Sequence, residues 1–569
     1  MAEKLTEWNK STFGNVFQKK RRLLSRIHEI QKKIANDFSP GLFKLQSKLE
    51  KELDDVLEQG ELIWFQRSRE QWVRFGERNT AYFHQQAIIR RRRNRIASLK
   101  NDNGEWVSDP QELAAMVFDF FALLYLQDDQ EYSDNMPKHA FPRLSQDDFR
   151  QLLLPFTGAD IFKAIQDMKP FQAPSPDGFQ AIFYQRSWQV VGKALIDLAL
   201  SFFSTGVLPE EEVESTVVLI PKVDHPEMVS QLRPISLNNV CLKAIIKVIT
   251  NRLKPIMKKL VSPRQSSFIP GRQTTDNIIV LQEVLHTLRK RKGKKGGIVL
   301  KIDLEKAYDR LRWDFLRDTL KEIGLPSSWI SFIMFCVEHN RMRLLWNGEL
   351  SGPIIPTRGV RQGDPLSPYL FLLCMERLSR RIEQAIGDRL WKPLRLSKEG
   401  PPISHLFFAD DLILFAEADS SQVRIIKQCL DEFCQSSGQR VNYNKSAIFV
   451  SANIDRRRAC RLSSRAGIPL TVDLGRYLGV MAIHGRVTKA RYRDLMLRIQ
   501  KKLAPWKARH LSLAARITVV KSISASIPIY PMQTELLPVN VCRSLDRINR
   551  GFIWGDTEAK KKIHLVGWQ

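Results

Sequence analysis

Asp303 closes the strand-like run IVLKI, and Asp410 and Asp411 stand side by side between the apolar runs HLFFA and LILFA. A lone carboxylate in an apolar run is costly to bury without a cation. Adjacent carboxylates repel, and a divalent cation relieves that repulsion. Such hard oxygen donors suit Mg²⁺, which takes one or two carboxylates and fills its shell from substrate phosphates. Two ions about 3.5–4 Å apart are what in-line displacement at a phosphoryl centre needs. One activates the attacking hydroxyl; the other neutralises the leaving group. Taken singly, Asp410–Asp411 also reads as a solvated turn and Asp303 as a strand-end cap. Together, in this order and with these flanks, they read as a metal site.

The elements that must position these groups follow from periodicity. Val217–Ile220 and Ile298–Ile302 read as short buried strands, and Leu406–Phe408 and Leu412–Phe415 as two runs joined at the aspartates. Ile278, Leu281, Leu285 and Leu288 recur at helical spacing, as do Trp313, Leu316, Leu320 and Ile323, with Gly324 as a stop. Ser367–Pro368 predicts an N-cap followed by proline at the first helical position. Residues 1–75 and most of 108–190 read as helix, and Asn101-Asp102-Asn103-Gly104 as the turn of a hairpin. Lys290–Gly297 is a basic loop containing glycine.

The 569 residues are enough for two to four packing units, and 43% hydrophobic content allows sizeable cores. Lys and Arg outnumber Asp and Glu by 89 to 61, a formal charge of +28, which points to a polyanionic partner. The longest apolar runs, such as Tyr369–Met375, fall far short of a spanning helix, so no membrane partner is expected. The N-terminus has no secretory h-region, and the 7 cysteines form no C-x-x-C pair, which fits a reducing, intracellular compartment. Histidines such as His84 and His339 show no ligand spacing. The run Arg90, Arg91, Arg92, Arg93 reads as an RNA-binding arm, a nuclear localisation signal or a solvated face. From Arg486 to Lys521 there are 11 Lys or Arg against a single acid, Asp494, with Tyr492 and Trp506 interleaved.

The runs VLKIDLEKAYDRLRWDFL, GVRQGDPLSPYLFLLCMERLSR and FADDLILFAEA resemble three successive motifs of the reverse transcriptase of LINE-type, non-LTR retrotransposons, in its plant-like form. LIPK with RPISL, QSSFIPGRQTTDNI, SGQRVNYNKS and YLGV resemble further motifs of that family. The flanks QRSREQWVRFGERNTAYFH and APWKARHLSLAARITVVKSISASIPIY resemble it too, so the likeness covers nearly the whole chain. It implies an RNA-directed DNA polymerase that adds dNTPs to a DNA primer on an RNA template, with two Mg²⁺ ions, or Mn²⁺ in their place. Asp303 and Asp410 then become the main metal ligands, Asp411 the third carboxylate, and the Leu304 carbonyl a possible addition to the shell. Tyr308 matches the aromatic under the incoming sugar, and Gln362 and Gly363 the pair against the nucleotide. Lys222 and Arg233 match cations that grip the triphosphate, and Lys445 a general acid towards pyrophosphate. Tyr477, Leu478 and Gly479 match the primer grip. The basic helices, with Arg498, Lys501 and Lys502, match a thumb on the nucleic-acid backbone.

The resemblance implies an α+β right-hand polymerase. A helical, basic extension is expected over 1–194, the reverse transcriptase domain (fingers and palm) over 195–484, and a helical basic thumb over 485–569. Neither the endonuclease nor the C-terminal domains common in such proteins are visible, so a fragment is expected, nuclear and cytoplasmic in location. APSPDGF departs from the family's APGPDG at Ser175. Two other readings are a catalytically silent nucleic-acid-binding remnant and a maturase-like RNA-binding protein. A two-metal nuclease lacks the finger and primer-grip motifs as partners. Oligomeric state is not legible.

Overall fold

Apolar residues flanking the aspartates are buried along both faces of two adjacent strands, which explains why these runs are continuous rather than alternating. In β order along the chain, the strands are β1 (Leu99–Lys100), β2 (Trp106–Val107), β3 (Glu214–Pro221), β4 (Leu232–Asn238), β5 (Gly297–Asp303), β6 (Arg341–Trp346), β7 (Glu349–Ile354), β8 (His405–Phe408), β9 (Asp411–Glu417), β10 (Ala447–Val450), β11 (Arg476–Tyr477) and β12 (Val480–Met481). The molecule is a computed structural model that describes residues 2–37, 39–68, 80–127, 131–397, 399–482, 492–504, 508, 511–556 and 562–564. None of the described helices is long and apolar enough to cross a membrane.

The chain divides into two compact units, 96–485 and the combination of 1–95 with 486–569. In the larger unit a central antiparallel sheet has the order β10-β5-β9-β8. A second sheet, β4-β3-β6-β7, is antiparallel except where β3 runs parallel to β6. Hairpins β1–β2 and β11–β12 complete the strands. The helices Val240–Leu260, Trp313–Glu322, Ser367–Gly387 and Ser420–Ser437 share one large apolar core with β5 and β9. The fold is thus α+β. The helix at 367 begins one residue earlier than its sequence suggests: Leu366 is the cap residue, and Ser367 and Pro368 lie inside the first turn. Proline is accommodated there because first-turn N–H groups have no intrahelical partner.

A domain boundary at 194 has no counterpart, since that residue lies inside the helix Trp188–Thr205. Leu152, Ile161, Ile165, Leu195 and Phe202 are buried in the same core as the central sheet, so the helices before 194 cannot be separated from it without exposing that face. The smaller unit has two clusters of its own. The helices Val16–Asn36 and Pro40–Ser68 bury Leu23, Ile27 and Ile30 with Leu49 and Val56. Tyr82 and Phe83, from the helix Thr80–Asn94, pack with Tyr492, Ile499, Leu503 and Val541.

A short junction in the larger unit fixes the segment 307–312 against the loop 358–364. Gly359 N donates to the Leu311 carbonyl at 2.7 Å, and Val360 N to that of Tyr308 at 2.8 Å. Trp313 Nε1 donates to the Gly359 carbonyl at 2.8 Å. Gly359 has φ +89°, and a Cβ there would meet the Asp309 carbonyl oxygen at 2.6 Å, so glycine is required twice over. Asp309 itself is 0% exposed. Burial pushes its carboxyl up to about 6, against the pull of Lys306 and of hydrogen bonds from Gln362 and Tyr125.

Gly359→Ala is expected to cost about 1–3 kcal/mol in denaturant unfolding, from left-handed strain plus backbone overlap. Gly352→Ala, with nothing near its Cβ, should stay within about 0.5 kcal/mol. Asp309 supplies a pH test. Its folded pKa lies above the unfolded value, so the stability it contributes is full below pH about 4 and is lost as pH rises through about 6. Asp309→Asn does not titrate. Between pH 4 and 7 wild type should lose up to about 3 kcal/mol relative to the variant; parallel stability–pH curves would refute the assignment.

Candidate active site

Register brings the carboxylates to one end of the central sheet. Asp303, the last residue of β5, lies directly opposite Asp411, the first of β9. Phe408 pairs with Asp411 across β8 and β9, which leaves Ala409 and Asp410 as a two-residue turn. Asp410 is exposed, and Asp303 and Asp411 are half-buried. Burial raises the Asp303 carboxyl, and Asp410 raises it further, while Lys445, Lys301 and Lys222 pull it back. Burial, then Asp410 and Asp303, likewise raise Asp411 against Lys301. The three therefore load negative charge on each other. Among the described residues no group of three or more His, Cys, Asp or Glu side chains is set to hold a metal by itself. What the donor set fits is one or two carboxylates per hard cation with phosphate oxygens making up the shell, the habit of Mg²⁺. Leu304 is buried and bridged to Val441.

The turn is held in a strained shape. Ala409 has φ +52°, the left-handed region that a two-residue hairpin turn demands and that alanine rarely takes. Its N–H donates to Gln265 Oε1 at 3.1 Å and to Ser267 Oγ at 2.9 Å. Asn277 donates to the Phe407 carbonyl at 2.9 Å and to Tyr477 Oη at 3.4 Å, and its Oδ1 accepts from Ser266 Oγ at 2.7 Å. QSSF and TTDNI thus reach the aspartate hairpin through buried side-chain bonds. Sequence reasoning gave Gln265, Ser267 and Asn277 no such part; their polar side chains beside a run of apolar residues were the one available signal.

Beyond the turn, the Tyr308 ring stacks on Phe371, with centroids 4.7 Å apart and planes 16° from parallel. Burial and the nearby Asp410 both raise its hydroxyl pKa. Gln362 Nε2 donates to both oxygens of Asp309 at 3.0 Å, and its carbonyl accepts from Ser236 N at 2.8 Å. Gly363, at φ +109°, runs so close to β4 that a Cβ would sit 3.1 Å from the Ser236 carbonyl oxygen. A buried ion pair between Arg361 and Asp364, at 2.9 Å, closes the same loop.

Cations gather opposite the carboxylates. Burial, Arg233 and Lys445 lower Lys222, and Asp309 and Lys306 oppose them. Burial and Lys222 bring Lys306 down to about 8. Lys306 takes φ +49° and lies over the rings of Phe120 and Phe121 at 5.3 and 5.8 Å. Cations that lower a neighbouring lysine, as Arg233 and Lys445 lower Lys222 and Lys222 lowers Lys306, mark a place short of anions. Lys306 and Asp309 were not singled out from the sequence, because KAYD reads as an ordinary helical turn. Lys445 sits in a turn fixed by Asn442, whose N–H donates to the Asp303 carbonyl at 2.8 Å.

Tyr477 is buried, and Leu478 and Gly479, at φ +48° and +85°, form the turn of the β11–β12 hairpin. Lys301 Nζ ties β5 to that hairpin through the Arg476 carbonyl at 2.6 Å. In the smaller unit Arg90, Arg91, Arg92 and Arg93 are exposed at the end of one helix, and Arg498, Lys501 and Lys502 are exposed on Arg493–Lys502. Both basic segments belong to one compact unit, which the sequence had assigned to opposite ends of the molecule. Tyr492 is not available for base stacking, being 4% exposed within that unit's core. Trp506 and residues 69–79 of the N-terminal motif lie outside the described residues.

Residues 220–482 match the family model of reverse transcriptase (RNA-dependent DNA polymerase). The "Transposon TX1 uncharacterized 149 kDa protein" of Xenopus laevis is 25% identical over 81% of this chain and 35% of its own length. The Pol polyprotein of the type-2 retrotransposable element R2DM of Drosophila melanogaster is 26% identical over 67% of this chain and 35% of its own. That of element R2 of Nasonia vitripennis is 29% identical over 48% and 25%. The chain spans between a quarter and about a third of the length of these relatives. A solved apo telomerase from Candida tropicalis, truncated from its C-terminal domain, covers 46% of this chain and 56% of its own at TM-score 0.30 and 15% identity, too distant to argue from. Residues 220–482 are thus similar to reverse transcriptases, and the chain is similar over much of its length to proteins of a transposon and of R2 retrotransposable elements.

Proposed function

We propose that this chain is an RNA-directed DNA polymerase that extends a DNA primer with dNTPs on an RNA template. One observation carries the reading: the register that sets Asp303 against Asp411 beside the Asp410 turn, with Lys445, Lys301 and Lys222 close enough to alter the ionisation of Asp303. Asp303 and Asp410 would hold two Mg²⁺ ions, with Asp411 and the Leu304 carbonyl in support; bound there, such ions would supply activation of the primer 3′-hydroxyl and neutralisation of the pyrophosphate.

The chain's own residues do the rest. Lys222 and Arg233 take the triphosphate, as a point charge and a planar fork, with Lys306 behind them. Incoming phosphate supplies the anions this cluster lacks. Tyr308, braced by Phe371, fills the space that a 2′-hydroxyl would need. Gln362 is pinned by Asp309, and Gly363 lets the nucleotide lie close to backbone. Lys445 delivers a proton to the departing pyrophosphate. Tyr477, Leu478 and Gly479 seat the primer end. Arg90, Arg91, Arg92 and Arg93 with Arg498, Lys501 and Lys502 hold backbone phosphates without reading bases. The site of action is intracellular, nuclear and cytoplasmic.

The test is primer extension on an RNA template with Mg²⁺. Asp303→Asn or Asp410→Asn should lower extension roughly 10³-fold or more, the scale of losing a transition-state electrostatic partner, while RNA affinity holds. Parallel loss of affinity and activity would count against the metal role. Tyr308→Ala should admit ribonucleotides, cutting sugar discrimination roughly 10- to 200-fold. Unchanged discrimination would remove Tyr308 from that role.

A further inference from the structure

The basic loop Lys290–Gly297 is not used by the polymerase site. It forms one wall of a cleft of about 1010 Å³, whose other wall is the segment 389–397 that follows the helix Ser367–Gly387. Six cations line it: Lys290, Arg291, Lys295, Arg389, Lys392 and Arg395. Among the described lining residues Glu417 is the one carboxylate. A cleft walled by one sign of charge concentrates its field and draws in the opposite sign.

Two details mark the cleft as built for an anion. Arg291 Nη1 is shut from solvent and has no hydrogen-bond partner, a cost that an oxygen ligand removes. Arg389 follows its helix at φ +59°, in the left-handed region where glycine is the usual occupant. An arginine is kept there at a conformational cost that glycine would avoid. Apolar side chains line it too, Pro393, Leu396 and Pro402 among them, and can take a ribose or a base edge.

The cleft lies at the far end of the sheet from the aspartates. Glu417 pairs with Gly297 at one end of the β5–β9 ladder, and Asp411 with Asp303 at the other. Six residues of strand rise separate these ends, about 20 Å. We infer that the cleft is a second nucleic-acid site, which takes the sugar–phosphate backbone of single-stranded RNA apart from the catalytic turn. Cations on both segments with apolar side chains among them suit the phosphates and unpaired bases of a single strand, and a space of about 1010 Å³ exceeds the need of a lone phosphate. The inference rests on the polymerase reading only in the choice of RNA as the polyanion.

The experiment uses the full chain with Lys290, Arg291, Lys295 and Lys392 each changed to Gln, none of whose side chains closes a backbone turn. Binding of an unstructured 30-nucleotide RNA is titrated against salt, and primer extension is measured on a short hybrid with minimal template overhang. Removing four phosphate-binding charges should flatten the slope of log affinity against log salt by about 2–3. Extension on the short hybrid should stay within twofold or so of wild type. Unchanged slope and affinity in a variant that keeps wild-type circular dichroism would overturn the proposal. So would equal losses in RNA binding and in short-hybrid extension, since the residues would then serve the catalytic centre. Photocross-linking of 4-thiouridine RNA to the wild-type chain gives a check independent of folding: adducts are expected in 286–297 and 389–397, and adducts confined to other segments would sink the idea. A wild type that extends no primer yet cross-links in the cleft would defeat the polymerase reading and leave this one standing.

Discussion

Like charges placed at facing positions of a strand ladder cannot move apart without breaking the ladder. Asp303 and Asp411 are in that situation, and Asp410 is added to it by the hairpin turn. The backbone that imposes the repulsion is among the best-buried in the molecule: Leu412, Ile413, Leu414, Phe415 and Ala416 are all 0% exposed. The burial of those side chains holds the carboxylates where their own electrostatics would disperse them. The cations opposite are in the mirror condition. Burial depresses both Lys222 and Lys306, Arg233 and Lys445 lower Lys222 further, and Lys222 lowers Lys306, with Asp309 as a buried counterweight. Neither group is neutral alone, and neither touches the other enough to cancel. A resting imbalance of this kind is relieved by a ligand that brings both positive and negative charge, as a metal-bound polyphosphate does.

Much of this was legible in the sequence, and for a definable reason. Features set by neighbours along the chain were readable: the apolar runs that became β5, β8 and β9, the turn between them, and the helical stripes at 278–288 and 313–323. The grip on Ala409 was not. Its partners Gln265 and Ser267 lie more than 140 positions away, and an amide or hydroxyl chooses its partner by tertiary packing. Asp309 was missed for the same reason, since an aspartate in KAYDR looks solvated until Gly359 and Gln362 arrive from another segment. The boundary at 194 failed because helix periodicity reports that a face is buried but not against what. Tyr492 is a like case: an aromatic between basic residues can stack on bases or fill a core, and here it fills a core.

The excess of positive charge is also unevenly arranged. In the smaller unit it lies on exposed helix ends, at Arg90–Arg93 and Arg498–Lys502. In the larger unit it gathers beside the aspartates, at Lys222 and Lys306, and along the cleft at the other end of β5, where Arg291 is half-buried and the other five cations are exposed. Exposed charges are screened beyond about 8–10 Å at physiological salt, so each of these groups acts on a polyanion mainly at short range.

The smaller unit is assembled from sequence that is not contiguous: Tyr82 and Phe83 complete their core with residues from 492 onward. On a ribosome the first 95 residues emerge long before that partner exists. The intervening 96–485 amount to 390 residues, roughly 20–80 s of synthesis at 5–20 residues per second. The helix pair 16–68 can close its own small cluster in that time, but the aromatic face around Trp64, Phe65, Tyr82 and Phe83 waits uncovered. The order of folding is thereby set by the order of translation. The larger unit can close first, and the smaller one follows only once the segment from 492 onward has been made.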